Sequence, residues 1–395
     1  MARSPQVGAR YDLVVVGLGS GGMTAAELAA SLGLRVAVVE RARPGGDCLW
    51  TGCVPSKALL ASAKVAHTVR HAARWGVGDG AEPAVDTAAV WTRIRAVQRE
   101  VAATDDNAER FEAMGVEVVA GEATLAGPTS VRVGDRVLRA RHVLLCTGSR
   151  PAVPPVPGLA EAGFLTSESV FELDRAPASL VVLGGGPIGI ELAQAMRRLG
   201  VPTTVLQRGA GVLPRDEPSL VEVLQRLLVG EGVDLVLGAE AARVDVDAAT
   251  GEKVVHARDG RSWRAAEVLV AAGRVPNVEG LGLDALGIAV GPDGIEVDER
   301  QRTSVPTVYA AGDVVGRHRF THAAGYEAVR AVRGAFFPGR PGAAPDVPWC
   351  TFTDPELAHV GLTSVEARAR WGAEAGVHVR PLARSDRDRA DGHGE

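Results

Sequence analysis

Two stretches of this chain repeat one grammar, and nothing else in the sequence restricts the fold as strongly. Residues 12–22 run a buried-type strand into glycines at Gly17, Gly19 and Gly22, followed by a helical pattern from Met23 to Leu32 and a second strand from Arg35 to Glu40. The first glycine makes a tight turn, the second lets backbone approach a pyrophosphate, and the third allows close helix–strand packing. Glu40, closing the second strand, stands where a carboxylate accepts hydrogen bonds from a ribose. The order recurs from Ser179, with Gly184, Gly186 and Gly189, a helix through Leu199 and a strand from Pro202 to Leu206. Two such units predict an α/β chain with two Rossmann-like dinucleotide-binding domains and two cofactors, one stationary and one exchanging.

The second unit ends differently. Its strand runs into Gln207-Arg208 rather than an acid. A carboxylate suits a free ribose hydroxyl, whereas an arginine pairs with a 2′-phosphate, so NADPH is favoured over NADH. The plainer alternative is an arginine facing solvent in an arginine-rich chain. Length and composition agree with several cores: 395 residues at 46 % hydrophobic content fill two or three. A net charge of −5 does not suggest a nucleic-acid partner. No apolar run approaches the roughly 20 residues that span a bilayer, so cytoplasmic residence is the default expectation.

Between the two units lie Cys48 and Cys53, at the entrance to a helical pattern that continues from Ala58. A cysteine at a helix N-terminus meets free amides and a dipole that favour the thiolate, the nucleophile of disulfide exchange. A structural disulfide, a metal site and inert thiols compete with a redox pair. Only four cysteines exist, with Cys146 and Cys350 distant in sequence, and the nearest histidine, His67, lies on the helical stretch rather than at short spacing from the cysteine pair. Lys57, one of three lysines in the chain, follows Cys53 by one helical turn.

This order, nucleotide unit, cysteine pair, nucleotide unit, resembles the flavin-dependent pyridine nucleotide–disulfide oxidoreductases, the family of lipoamide dehydrogenase, glutathione reductase and mercuric reductase. Cys146-Thr147-Gly148-Ser149-Arg150-Pro151, Ala272-Gly273-Arg274-Val275-Pro276-Asn277 and Tyr309-Ala310-Ala311-Gly312-Asp313-Val314 extend the resemblance along nearly the whole chain. It implies a glutathione-reductase-type fold with FAD held by the first unit. Cys53 would be the thiolate against the flavin and Cys48 the exposed thiol that exchanges with substrate. Glu191 would pair with Lys57, and Asp313 would bond the flavin ribityl chain; Thr147, Gly148 and Gly273 lie in the matching cofactor segments. His322 is carried only as a cofactor contact, since a helical histidine is more often a packed or capping group. The expected organisation is a first FAD segment over residues 1–150, containing a helix around Thr87 to Met114; an NAD(P) domain over 151–272; a second FAD segment over 273–345; and a partial dimerisation domain over 346–395.

Two departures qualify the resemblance. The chain ends early, so a homodimer, expected of a full-length relative, is doubtful here. No residue matches the family's His–Glu acid–base pair, and His393 sits in a polar tail and takes no role. Truncation of a longer enzyme is favoured, with a nonenzymatic flavin- and nucleotide-binding remnant as the reading of another class. The second departure is Asp47, where better-known branches carry threonine; an acid near a diphosphate should point away or cap the cysteine helix. For substrate, Val54-Pro55-Ser56-Lys57 and Arg208 resemble the mercuric branch. A mercuric-reductase-like or unassigned enzyme acting on a small disulfide or Hg(II)-type substrate is expected, with dihydrolipoamide dehydrogenase as the alternative. No resident metal is expected.

Overall fold

The computed structural model describes residues 10–78, 82–339, 342 and 346–392; His393 lies outside them. Strand β1 (Arg10–Val16), helix α1 (Ser20–Ser31) and strand β2 (Val36–Glu40) form the first unit. Val14, Val15, Val38 and Val39 are almost wholly buried, because a parallel sheet covered on both faces needs continuous apolar strands. Two helices follow, the short α2 (Gly46–Trp50) and the 18-residue α3 (Cys53–Arg70), the second opening on the cysteine itself.

The helix expected from Thr87 to Met114 is in fact two, α4 (Thr87–Thr104) and α5 (Ala108–Ala113). The break falls at Asp105-Asp106-Asn107. Asn107 accepts a hydrogen bond from the Arg110 amide at 2.8 Å and donates to the Ala102 carbonyl at 3.2 Å, so its side chain ends one helix and starts the next.

Strands β3 (Glu117–Ala120), β4 (Ala123–Gly127), β5 (Ser130–Val133) and β6 (Arg136–Leu145) complete the first sheet, in the order β3-β2-β1-β6-β5-β4. The β1, β2, β3 and β6 pairings are parallel, while β4, β5 and β6 form an antiparallel meander. The chain then crosses on β7 (Ser149–Pro151), passes a single helical turn, α6 (Leu159–Ala162), and builds the plan again. Strand β8 (Leu180–Leu183), helix α7 (Pro187–Arg198), strand β9 (Thr203–Gln207), helix α8 (Pro218–Gly230) and strand β10 (Asp234–Leu237) lead into a meander of β11 (Ala241–Val246), β12 (Lys253–Ala257) and β13 (Ser262–Ala265). Strand β14 (Glu267–Val270) closes a parallel sheet ordered β10-β9-β8-β14. The repeat seen in the glycines thus covers a parallel sheet and a meander in each half.

The chain returns on β15 (Arg274–Pro276), which pairs antiparallel with β7, so one two-stranded ribbon carries both crossings. Strand β16 (Val308–Ala310) then adds to β6, and α9 (Thr321–Phe336) packs on α1. A hairpin of β17 (Trp349–Thr351) and β18 (Leu357–His359) precedes α10 (Ser364–Trp371), which starts on a capping box between Thr363 and Glu366. The hairpin is tied to the second unit: buried Arg198 of α7 pairs with Asp354 at 2.8 Å and Glu231 at 2.6 Å.

One buried cluster crosses the two halves. Ala58 and Leu59 of α3 and Trp91 and Ile94 of α4 pack with Ile190, Met196 and Leu224 of the second unit. Trp91 Nε1 donates to the Val170 carbonyl at 2.9 Å. No helix among the described residues is long and apolar enough to cross a membrane.

Candidate active site

A single cleft of about 2200 Å³ runs past both glycine turns, the cysteine pair and the β7–β15 ribbon. That exceeds the roughly 300–1,000 Å³ of an ordinary one-ligand pocket and suits two dinucleotides. Gly17, Gly19, Glu40, Cys48, Cys53, Lys57, Thr147, Gly148, Gly184, Gly186, Glu191, Arg208, Gly273, Asp313 and His322 all line it. Gly22 and Gly189 stand back from the cleft, as packing residues: a Cβ on either would overlap the carbonyl oxygen of its own turn, Gly17 or Gly184.

The turns fit a diphosphate. Helices α1 and α7 begin after Gly19 and Gly186, neither with a side-chain cap, so their first amides are free to meet an anion. Around Gly186 a Cβ would meet nothing within 4 Å. Glu40 Oε2 accepts from the Leu18 amide at 2.7 Å, bracing the first turn. The second turn is braced the same way by a neutral group: Gln207 Oε1 accepts from the Gly185 amide at 3.1 Å. Gln207 therefore stands where Glu40 stands, and Arg208 follows it at the cleft wall.

Cys48 lies on α2, and Cys53 is the first residue of α3, whose N-cap Gly52 supplies no capping side chain. Both thiols are free and half-buried. The neighbouring Cys48 thiol pulls the Cys53 thiol below its ordinary value, to about 6; burial opposes, while the Thr321 hydroxyl and Lys57 help. The same proximity and burial push Cys48 up. Cys53 thus carries the negative charge and Cys48 the proton. Thr321 Oγ1, at the start of α9, is 3.1 Å from Cys53 Sγ.

Lys57 Nζ lies 3.0 Å from Glu191 Oε2 and 4.1 Å from the centre of the Phe352 ring. Glu191 Oε1 accepts from the Phe352 amide at 2.9 Å, so this buried carboxylate joins α3, α7 and the C-terminal hairpin. Asp313 accepts from Ser149 Oγ at 2.5 Å, and burial raises its carboxyl above the usual range. His322 Nε2 faces the Pro348 carbonyl at 2.7 Å. Asp47 does not cap α3; its carboxylate, still 39 % exposed, pairs with Arg274 at 2.6 Å.

Several site residues escape sequence reasoning. Arg274 sits beside the recognised Gly273, but its partner is distant in sequence. Thr321 carries no motif. Glu327, buried on α9, accepts from the Gly312 amide at 2.8 Å, and burial pushes its carboxyl up to about 7; an acid within an alanine-rich helix face was its only signal. No cluster of three or more metal-ligating side chains occurs among the described residues.

The chain is similar to known proteins of one family. The family model described as "Pyridine nucleotide-disulphide oxidoreductase" matches residues 11–328. A glutathione reductase of Burkholderia cepacia is 37 % identical over 91 % of this chain and 79 % of its own. A dihydrolipoyl dehydrogenase of Chlorobaculum tepidum is 35 % identical, with 99 % and 84 % covered. A mercuric reductase of Bacillus cereus is 34 % identical over 94 % of this chain, which spans only 59 % of that relative. Among solved structures, LpdA of Mycobacterium tuberculosis superposes with a TM-score of 0.87 at 29 % identity, covering 96 % of this chain and 84 % of that one.

Proposed function

Because the chain belongs to the pyridine nucleotide–disulphide oxidoreductase family, we propose that it carries electrons from NADPH through FAD to a Cys48–Cys53 disulfide, and on to a small disulfide or Hg(II)-type substrate. The observation that carries this reading is the pair of free thiols, Cys48 and Cys53, in one cleft with both glycine turns. FAD, when bound, supplies two-electron transfer between the nicotinamide and the disulfide.

The chain's own residues do the rest. The uncapped amides of α1 and α7 bind the two diphosphates, and Lys57, oriented by Glu191, places a positive charge one turn from Cys53. In the reduced pair, the Cys53 thiolate accepts the proton of the neighbouring Cys48 thiol. The Cys48 thiolate then attacks a substrate sulfur and the other substrate sulfur leaves as a thiolate, which takes the proton from Cys53; the Cys53 thiolate attacks the Cys48 sulfur and expels the second substrate sulfur as a thiolate. The pair ends as a disulfide.

The neutral Gln207 and the adjacent Arg208 support NADPH, since a carboxylate there would repel a 2′-phosphate. Identities of 37, 35 and 34 % to glutathione, lipoyl and mercuric relatives leave the subclass to experiment; the mercuric reading rests on the Val54–Lys57 run with Arg208. Anaerobic mixing with NADPH is expected to bleach the flavin and raise a long-wavelength thiolate–flavin band, and failure of both sinks the proposal. Steady-state assays on glutathione disulfide, lipoamide and Hg(II) then sort the substrate. Gln207→Glu is expected to shift the kcat/KM ratio toward NADH by about tenfold or more, which is ~1.4 kcal/mol; an unchanged ratio, or an NADH preference in the unaltered protein, removes the nucleotide argument.

A further inference from the structure

Asp47 directly precedes Cys48, yet its carboxylate closes on a residue from the far side of the cleft. Arg274 Nη2 is 2.6 Å from Asp47 Oδ2. This guanidinium, only 11 % exposed, lies on the β7–β15 ribbon; its Nε donates to Ser149 Oγ at 2.7 Å and its Nη2 to the Ser149 carbonyl at 3.1 Å. Ser149 in turn donates to Asp313. One side chain therefore ties the cysteine segment, the ribbon that carries both crossings, and the Asp313 loop.

The groups facing the Cys53 sulfur are few. Cys48 and Asp47 approach from α2, Lys57 from its own helix with Glu191 of α7 behind it, and the Thr321 hydroxyl from α9. Lys57 favours negative charge on the sulfur and Asp47 opposes it. Arg274 offsets Asp47.

We propose that the Asp47–Arg274 pair is a positioning element for the cysteine couple, holding α2 against the ribbon and setting the net charge felt by the Cys53 sulfur. The inference rests on the reading of Cys48 and Cys53 as the redox couple. Its signature is a pair of opposite effects. Asp47→Asn removes a repelling charge and leaves the Arg274 guanidinium without its counter-charge; Arg274→Gln leaves the Asp47 carboxylate unopposed. A purely mechanical tie would loosen the segment in both variants and move both the same way.

The test is the pH dependence of Cys53 alkylation by iodoacetamide in the reduced full chain, with fragment-ion mass spectrometry separating Cys53 from Cys48. The midpoint is expected to fall by about half a pH unit or more in Asp47→Asn and to rise by a similar amount in Arg274→Gln. The double variant should return toward the parent, and Asp47→Glu, which keeps the charge, should stay near it. Shifts in one direction, or coincident midpoints, overturn the proposal. The underlying redox reading fails separately, if the oxidised protein does not lose two hydrogens between Cys48 and Cys53.

Discussion

Cys53→Ser is expected to lower nucleotide-driven disulfide reduction by roughly 10⁴-fold or more, the scale seen when a covalent nucleophile is removed from a unit that acts together. Serine is close to cysteine in size, but its hydroxyl does not ionise near neutral pH. No sulfur then remains to resolve a mixed disulfide on Cys48, and no thiolate remains beside it to accept its proton. The glycine turns, Glu40 and the Lys57–Glu191 pair are untouched, so flavin reduction by NADPH should survive while the long-wavelength band disappears. Stopped-flow spectra and turnover on one enzyme sample separate the two steps. Retention of turnover within tenfold of the parent would show that Cys53 is not part of the relay.

Gly17→Ala is expected to yield protein holding less than about a tenth of the parent's flavin, with a lower melting temperature. Gly17 has φ of +97°, a conformation that costs an ordinary residue about 1–3 kcal/mol, and its new Cβ would overlap the Cys146 carbonyl oxygen. The obstacle is backbone at the switch from β1 to α1, so relief requires moving β6 or opening the turn that meets the diphosphate. Gly186→Ala is the informative contrast. Gly186 has φ of −79° and no neighbour within 4 Å of a Cβ, so the fold tolerates the methyl while nucleotide approach suffers. Flavin content by absorbance after gel filtration, with NADPH titration of each variant, checks both; full flavin in Gly17→Ala would contradict the assigned role of the turn.

What the sequence revealed and what it concealed divide along a physical line. The glycine turns, the valine strands and the helix start at Cys53 are local: each follows from steric limits and periodicities within a few residues. The doubled meander was less visible, because short strands such as Ser130–Val133 take their identity from their partners. The single helix expected over residues 87–114 failed because the apolar period continues through Asp105–Asn107, where side-chain capping overrides it. Asp47–Arg274 and Cys53–Thr321 were invisible for a different reason: both join positions more than two hundred residues apart, and only closure of the chain brings them together. Lys57–Glu191 spans 134 residues and was anticipated only through family resemblance.

The apolar cluster shared by α3, α4 and the second unit bears on how this chain is put together as a folding object. Sequence repetition suggests two modules joined by a ribbon, each able to be excised. Yet Trp91 and Ile94, from the first half, are fully buried against a core completed by Ile190, Met196 and Leu224 from the second. Cutting at the ribbon would expose that face on both pieces, a loss of several kcal/mol on the usual scale for large buried side chains. The two halves are therefore interdependent in stability although parallel in plan. The helix that begins at Cys53 belongs to both, and the redox couple is anchored in the seam of a single cooperative unit.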